Sequence, residues 1–305
     1  MAVPGLATVR ERLTSALIGA ASPSGGWGYA SGLASRLEPT CWALLALRPT
    51  DLGSRHVARH LDWLRSLRRA DGLLSHAGQP PNVAFNGVAV LVLLDEPSSV
   101  DPQAQSHRAM ARQVVGGMLH TRGVPGRESP VSGHDDTLRG WPWLPGTASW
   151  VEPTAWCLLA VSRYRRVAAD TRGGEVVDEA RRLLIDRTCE VGGWNCGTPR
   201  VFGTSLPPYV APTSLTILAL QDEVSHPVVA KALSRLRATW ADEPSSIALA
   251  LTSLAFEVVG QPHEEVDAAL AALTERPGFS DRLVEVGMSL YALTAGIHHA
   301  AAFRL

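Results

Sequence analysis

The sequence predicts an all-α fold: six helical hairpins closed on themselves as an α/α barrel, with outer helices around inner ones. Three observations predict it. First, one phrase occurs twice: Glu38-Pro39-Thr40-Cys41-Trp42-Ala43-Leu44-Leu45-Ala46-Leu47 returns as Glu152-Pro153-Thr154-Ala155-Trp156-Cys157-Leu158-Leu159-Ala160-Val161, each time after a loop rich in Gly and Trp. A repeated loop-plus-helix unit signals repeat architecture. Second, amphipathic segments alternate with segments that are apolar on nearly every side, and a helix apolar all round is buried all round. Third, no segment shows the two-residue alternation of a strand.

The elements follow in order. Amphipathic, arginine-rich helices are expected over 6–19, 54–69, 102–119, 175–188, 226–240 and 263–275. Their apolar residues recur at helical spacing, as in Val57-Leu61-Leu64-Leu67 and Val228-Val229-Leu233-Leu236, which gives one buried stripe and one wet face. Helices apolar nearly all round are expected over 40–48, 83–94, 153–166, 212–221, 244–259 and 284–296. Six wet–buried pairs suit two concentric layers. An open superhelix of hairpins needs polar capping repeats, and no segment reads as one.

The inner helices start alike. Glu-Pro-Thr stands at 38–40 and 152–154, Glu-Pro-Ser at 243–245 and Ala-Pro-Thr at 211–213. Proline is expected at the first helical position, where its missing N–H costs nothing. The neighbouring Glu and Thr or Ser are expected to accept from free backbone N–H groups. Glu96-Pro97-Ser98 repeats the signature beside an outer helix, so the device reads first as a helix start. The longest insertion, Thr121 to Trp150, is expected to cover the end of the barrel where the inner helices begin, as a partial lid. Residues 1–305 are expected to form one domain.

Composition narrows the function. The 305 residues carry a net charge of −1 and are 46% hydrophobic, enough for a large core. That charge gives no electrostatic case for a nucleic-acid partner. Met1 to Ala21 lacks the basic start and unbroken apolar run of a signal peptide. The longest apolar run, Val83 to Leu94, is broken by Asn86 and Gly87 and is too short to span a bilayer. Cys41 and Cys157 read as small core residues, and Cys189 and Cys196 flank a loop. A cytoplasmic protein with free thiols is expected, with peripheral contact as its only membrane association.

Three loops carry a family resemblance: Gly25-Gly26-Trp27-Gly28-Tyr29, Gly140-Trp141-Pro142-Trp143 and Gly192-Gly193-Trp194-Asn195-Cys196-Gly197, each leading to an apolar helix. Over most of its length the chain resembles the prenyltransferase / squalene–hopene cyclase repeat superfamily. The resemblance implies an α/α toroid (an α6/α6 barrel) of about six hairpins. It also implies a central apolar cavity that acts on or binds a polyprenyl or terpenoid hydrocarbon. Fold alone does not fix the chemistry.

Class II cyclases of that family protonate an alkene with the middle Asp of Asp-x-Asp-Asp, a carboxylic acid kept protonated by an apolar pocket. Two segments compare with it. Aligned on the inner helix, Val151-Glu152-Pro153-Thr154-Ala155 puts Glu152 in the acid's place, and Glu38 and Glu243 hold the same slot in other repeats. Helix capping is the competing role for all three. Gly133-His134-Asp135-Asp136-Thr137 matches the end of the motif, with Gly133 where an Asp belongs and no helix start after it. Asp136 is then either the acid or part of a polar lid loop.

The zinc chemistry of prenyltransferase β subunits needs Asp, Cys and His ligands. No Asp-x-Cys occurs, Leu283 to Val286 lacks the expected His, and Cys196 with His226 wants a third ligand. Class I chemistry needs an Asp-rich Mg²⁺ motif, which Asp135-Asp136 does not complete, and no phosphate-binding loop or dinucleotide fingerprint occurs. No cofactor and no metal is therefore expected. The resemblance gives cavity aromatics the task of facing carbocations with their π clouds. Trp42, Trp143, Trp150, Trp156 and Tyr209 are the candidate substrate-contacting aromatics, with Glu243 beside them. Trp27, Trp141 and Trp194 read as locks between repeats. Trp42 and Trp156 face either the cavity or an adjacent helix.

Two readings stand. One is an isoprenoid cyclase-like enzyme without metal, led by Glu152. The other is a non-catalytic toroid that binds a lipid or serves as a protein scaffold. The ligand expected in both is an apolar isoprenoid or lipid, and no particular protein partner is indicated.

Overall fold

The computed structural model describes residues 5–50, 57–95, 102–127 and 133–305. The start of the helix expected from 54, the Glu96-Pro97-Ser98 signature and part of the expected lid, 128–132, lie outside them. In chain order the helices are α1 (Leu6–Ala20), α2 (Leu37–Leu47), α3 (Val57–Ser66), α4 (Val83–Leu94), α5 (Pro102–His120), α6 (Val151–Ala168) and α7 (Gly174–Asp186). They continue with α8 (Val210–Ala219), α9 (Pro227–Thr239), α10 (Ser246–Val258), α11 (Glu264–Leu273), α12 (Leu283–Leu293) and the short α13 (Ala295–His298). The all-α expectation holds, and the alternation of wet and buried helices runs in the expected order.

Packing separates two compact units, residues 1–68 with 241–304, and residues 69–240 with 305. In the first, α12 packs against both α2 and α10, while α1, α3 and α11 lie against them from outside. In the second, α6 packs between α4 and α8, and α5, α7 and α9 lie outside. The even-numbered helices are the apolar ones. Every residue of α2 except Glu38 is buried, and every residue of α4 except Phe85. In α7 only Val177, Ala180, Leu183 and Leu184 are buried, one stripe at helical spacing. The Val and Leu side chains of that stripe each contribute about 1.5–3 kcal/mol when fully removed from water.

Two glycines permit close helix approaches. A Cβ on Gly87 of α4 would stand 3.0 Å from the carbonyl oxygen of Trp156 in α6. A Cβ on Gly287 of α12 would stand 3.0 Å from the backbone of Trp42 in α2. Both glycines are the fifth residue of their helix, so the two units use one packing register twice.

The Gly-Trp loops are three copies of one staple. Each indole N–H donates to the last turn of the preceding outer helix or the one just before it: Trp27 to Leu17, Trp141 to Met118 and Trp194 to Leu184, at 2.7, 2.9 and 2.5 Å. Each Trp backbone N–H donates to a threonine hydroxyl of the following inner helix, Thr40, Thr154 or Thr213, at 2.9–3.0 Å. The carbonyl two residues beyond each Trp accepts the first N–H of the neighbouring inner helix. Tyr29 thus caps α12, Trp143 caps α4 and Cys196 caps α6, at 3.1, 2.9 and 3.1 Å. One loop therefore satisfies backbone groups of two helices that would otherwise be orphaned and binds a threonine side chain of a third.

A fourth copy was hidden from the sequence reading. Leu74 stands in the place of Trp, and Asn86 in the place of Thr. The Asn86 amide accepts from Leu74 N–H at 2.7 Å and donates to its carbonyl at 3.1 Å.

Two sequence expectations change. The proline of the Glu-Pro-Thr signature is not the first helical residue: α2 and α6 begin two residues earlier, at Leu37 and Val151. Proline is tolerated there because the whole first turn lacks intrahelical acceptors for its N–H groups. The threonine likewise binds the Trp loop instead of a helix N–H. At the Glu-Pro-Ser start, Ser245 caps as expected, accepting from Ala248, and Glu243 accepts from the Ser245 N–H. The structure also contains strands, β1 (Arg200–Val201) and β2 (Thr204–Ser205), paired antiparallel. Their turn, Phe202-Gly203, has φ of 48° and 77°, the left-handed pair that a two-residue hairpin favours.

Candidate functional site

Glu152 is the second residue of α6, held in place by the capped helix start. Its neighbour Val151 donates to the Cys196 carbonyl, and Trp150 donates to Trp141 at 3.2 Å. The Glu152 carboxyl is half-buried and has no hydrogen-bond or ion-pair partner among the described residues. Burial pushes its pKa upward, because charge is costly away from water. The Cys196 thiol is raised as well, by burial first and then by the Glu152 charge. Trp150 and Tyr209, at the starts of α6 and α8, are 42% and 55% exposed, so both rings offer open faces. Trp143 is half-buried and meets Phe85 of α4 edge-on at 6.2 Å.

Asp136 is not a free acid. It sits 2.9 Å from His134 Nε2 and 3.6 Å from Arg187. Arg187 is buried and also donates to the Gly197 carbonyl at 2.7 Å. Asp136 also ties the insertion together, its carbonyl accepting from Gly126 at 2.8 Å. This pairing fits the polar-loop role rather than an unpartnered proton donor. The described part of the 121–150 insertion lies at the starts of α4 and α6, through the Trp143 and Trp150 contacts already given.

In the first unit, Glu38 accepts from the Tyr29 hydroxyl at 2.9 Å. Burial, then the Glu38 charge and hydrogen bond, raise the Tyr29 phenol. Both line a cleft of about 520 Å³ with Ile247, Asp281, Arg282 and Glu285. Glu285, on the first turn of α12, accepts from Ser246 at 2.5 Å and from Arg282 at 3.3 Å. A second cavity of about 280 Å³ shares Ile247, Arg282 and Glu285. Glu243 lies apart from the cleft wall and accepts from Ser245 N–H at 3.0 Å, a helix-start contact.

Sequence reasoning missed Glu285, Ser246 and Tyr29 as site residues. Glu285 carries no Pro-Thr signature, and the three come from segments far apart in the chain.

Trp42 and Trp156 are both buried, at 2% and 7% exposure. Trp42 faces the chain's own Phe303, stacked at 6.0 Å with an interplanar angle of 12°. Phe303 also meets Tyr291 at 5.3 Å, and Arg304 next to it pairs with Glu257 at 3.0 Å. The segment after α12 therefore fills the space beside Trp42. Among the described residues, no group of three or more His, Cys, Asp and Glu is placed to hold a metal ion. No described helix is long and apolar enough to cross a membrane.

No family model matches the sequence, and no curated protein matches it. Solved structures do match in fold. The chain is similar to a GH76 alpha-mannanase of Bacteroides thetaiotaomicron, with 12% identity, a TM-score of 0.64 and 96% of each chain covered. It is similar to a reducing-end-xylose releasing exo-oligoxylanase, with 14% identity, a TM-score of 0.59, and 98% of this chain and 93% of that one covered. It is equally similar to the type II terpene cyclase MstE of Scytonema, with 14% identity, a TM-score of 0.59, and 96% and 99% covered. At these identities the likeness shows the fold alone. That fold is the α/α toroid, shared by a terpene cyclase and by glycoside-active enzymes.

Proposed function

We propose that this chain is an isoprenoid-processing toroid in which Glu152 is the acid of a metal-independent, proton-initiated cyclisation. The observation that carries the reading is the Glu152 carboxyl: half-buried, unpartnered among the described residues, and raised in pKa by burial. Such a group keeps its proton closer to neutral pH than an exposed Glu. Its place on the first turn of α6 adds the positive end of the helix dipole, which favours the carboxylate left after proton transfer. In the proposed step the Glu152 O–H bond breaks and a C–H bond forms at one alkene carbon. The cation closes onto an internal alkene and then loses a proton to solvent or to the Glu152 carboxylate, which restores the acid. The sequence resemblance and the fold shared with a type II terpene cyclase support the reading. Glu38 and Asp136, both hydrogen-bonded or ion-paired, are secondary candidates. Trp143, Trp150 and Tyr209 are the proposed substrate-contacting aromatics, and peripheral contact with a membrane would deliver an apolar substrate.

The test is incubation with squalene, farnesyl diphosphate and geranylgeranyl diphosphate, with and without Mg²⁺. Cyclised product from the wild type, abolished in Glu152→Gln and indifferent to Mg²⁺, is the expected result. Absence of turnover on all three substrates rejects the reading.

One observation favours a second reading, action on an oligosaccharide. Glu38 and Glu285 line a common cleft, with the Tyr29 ring beside them. Paired carboxylates are the usual equipment of glycoside hydrolysis. Hydrolysis of manno- or xylo-oligosaccharides, lost in Glu285→Gln and retained in Glu152→Gln, would select it over the first.

A further inference from the structure

We propose that the concave surface between α5 and the end of α6 binds a small soluble phosphate or diphosphate group. Arg108 and Arg112 stand one helical turn apart on α5, and both line a cavity of about 510 Å³. Neither guanidinium has a hydrogen-bond or ion-pair partner among the described residues. The helix itself supplies no counter-charge, since α5 contains no Asp or Glu. Like charges four residues apart on a helix repel, and an oxyanion between them would turn that repulsion into attraction.

The facing wall is made by Tyr164, Ala168, Ala169, Asp170 and Thr171. Ala169 closes α6 in the left-handed region, with φ of 49°, and so turns Asp170 and Thr171 toward the cavity. Asp170 does not neutralise the two arginines, because Arg172 already covers it. The Arg172 Nε lies 3.0 and 2.9 Å from the two carboxylate oxygens, and a terminal nitrogen lies 2.5 Å from one of them. Those bonds hold the Asp170 carboxyl far below the usual range. The Tyr164 hydroxyl, on a side chain only 4% exposed, lies 3.3 Å from Asp170 and 3.4 Å from Arg172.

A neighbouring cavity supplies the contrast. It shares Ala169, Asp170 and Thr171 and has a volume of about 420 Å³. Its arginines are already engaged: Arg166 and Arg181 reach Asp222 at 3.5 and 2.6 Å, and Arg181 reaches Glu223 at 3.0 Å. On the α5 side, among the described residues, two forked donors face a hollow whose acid, Asp170, is already paired with Arg172. Guanidinium forks suit tetrahedral oxyanions, which offer more acceptor oxygens than a carboxylate. Two arginines make a point site for a single phosphate group, whereas a lipid surface is recognised by a larger basic cluster. This inference is independent of the isoprenoid reading.

The experiment is calorimetric titration of inorganic pyrophosphate into the full chain at low ionic strength, where such contacts are least screened. A parallel arm uses vesicles containing phosphatidylglycerol. Saturable pyrophosphate binding is expected. It should weaken roughly ten-fold or more in Arg108→Ala/Arg112→Ala, as loss of charged hydrogen bonds implies. Arg237, an exposed arginine in the last turn of α9 that does not line this hollow, is the control, and Arg237→Ala should bind like the wild type. Arg112→Lys, which keeps the charge and loses the fork, should fall between. Circular dichroism confirms that each variant is folded, and Arg112→Gln replaces any variant that is not. No pyrophosphate binding, equal binding by the double variant, or binding to vesicles alone would each overturn the proposal.

Discussion

A carboxyl on the first turn of a buried helix feels two opposed influences. The helix dipole favours its charge, while burial disfavours it. At Glu152 burial dominates, and the pKa rises. The folded protein therefore holds that proton more tightly than the unfolded chain. The group favours folding below the unfolded value of about 4.3 and loses that contribution as pH rises through the folded value. Glu152→Gln removes the charged form. Its melting temperature should exceed that of the wild type at pH 8, and the difference should vanish near pH 4. A carboxamide variant less stable than the wild type at pH 8 would mean that the ionised carboxylate has a stabilising partner. Thr154 makes the opposite case. Its hydroxyl accepts from Trp141 N–H at 3.0 Å, inside the staple. Thr154→Val should cost about 1–3 kcal/mol, the penalty for a buried donor left unpaired, and Thr154→Ser should recover most of it. Urea denaturation of the two variants measures both effects.

At the scale of elements, the outer and inner helices were legible because their periodicities differ. The single stripe of α7 and the nearly all-round apolar surface of α4 cannot be confused. What sequence could not supply was orientation: α2 is apolar on every side, so no pattern tells which way Trp42 points. Stacking on Phe303 decides it, across a separation that no local rule spans. The Leu74–Asn86 staple was illegible for a different reason, since the geometry is kept while both residue types change. The β1–β2 hairpin has strands of two residues, too short for alternation to register. The shared glycine register makes a prediction at this scale. Gly87→Ala puts a methyl 3.0 Å from the Trp156 carbonyl, and overpacking of that kind costs about 1–3 kcal/mol. Gly116, whose Cβ would meet nothing within 4 Å, is the control, and its Ala variant should be neutral or stabilising by equilibrium unfolding.

For the whole molecule, fold class was readable from a repeat and an alternation, whereas the candidate site residues carry a mixture of signals. Glu152 and Glu38 are candidates because of a repeated signature whose threonine is part of a structural staple. Glu285 and Ser246 carry no such signature and come together only in the folded chain. In the first unit, the Phe303 side chain fills space between α2 and α12, fully buried. Phe303→Ala should destabilise the protein by about 3–5 kcal/mol, as large core truncations do, and Phe303→Leu by less, measured by thermal unfolding. If Glu152 delivers a proton to an alkene, turnover in D₂O shows where that proton ends up. The product formed by the wild type from geranylgeranyl diphosphate or squalene should carry one solvent-derived deuterium at the carbon where cyclisation starts, and Glu152→Gln should yield none. Cyclised product free of deuterium, or formed equally by the Gln variant, would contradict the account.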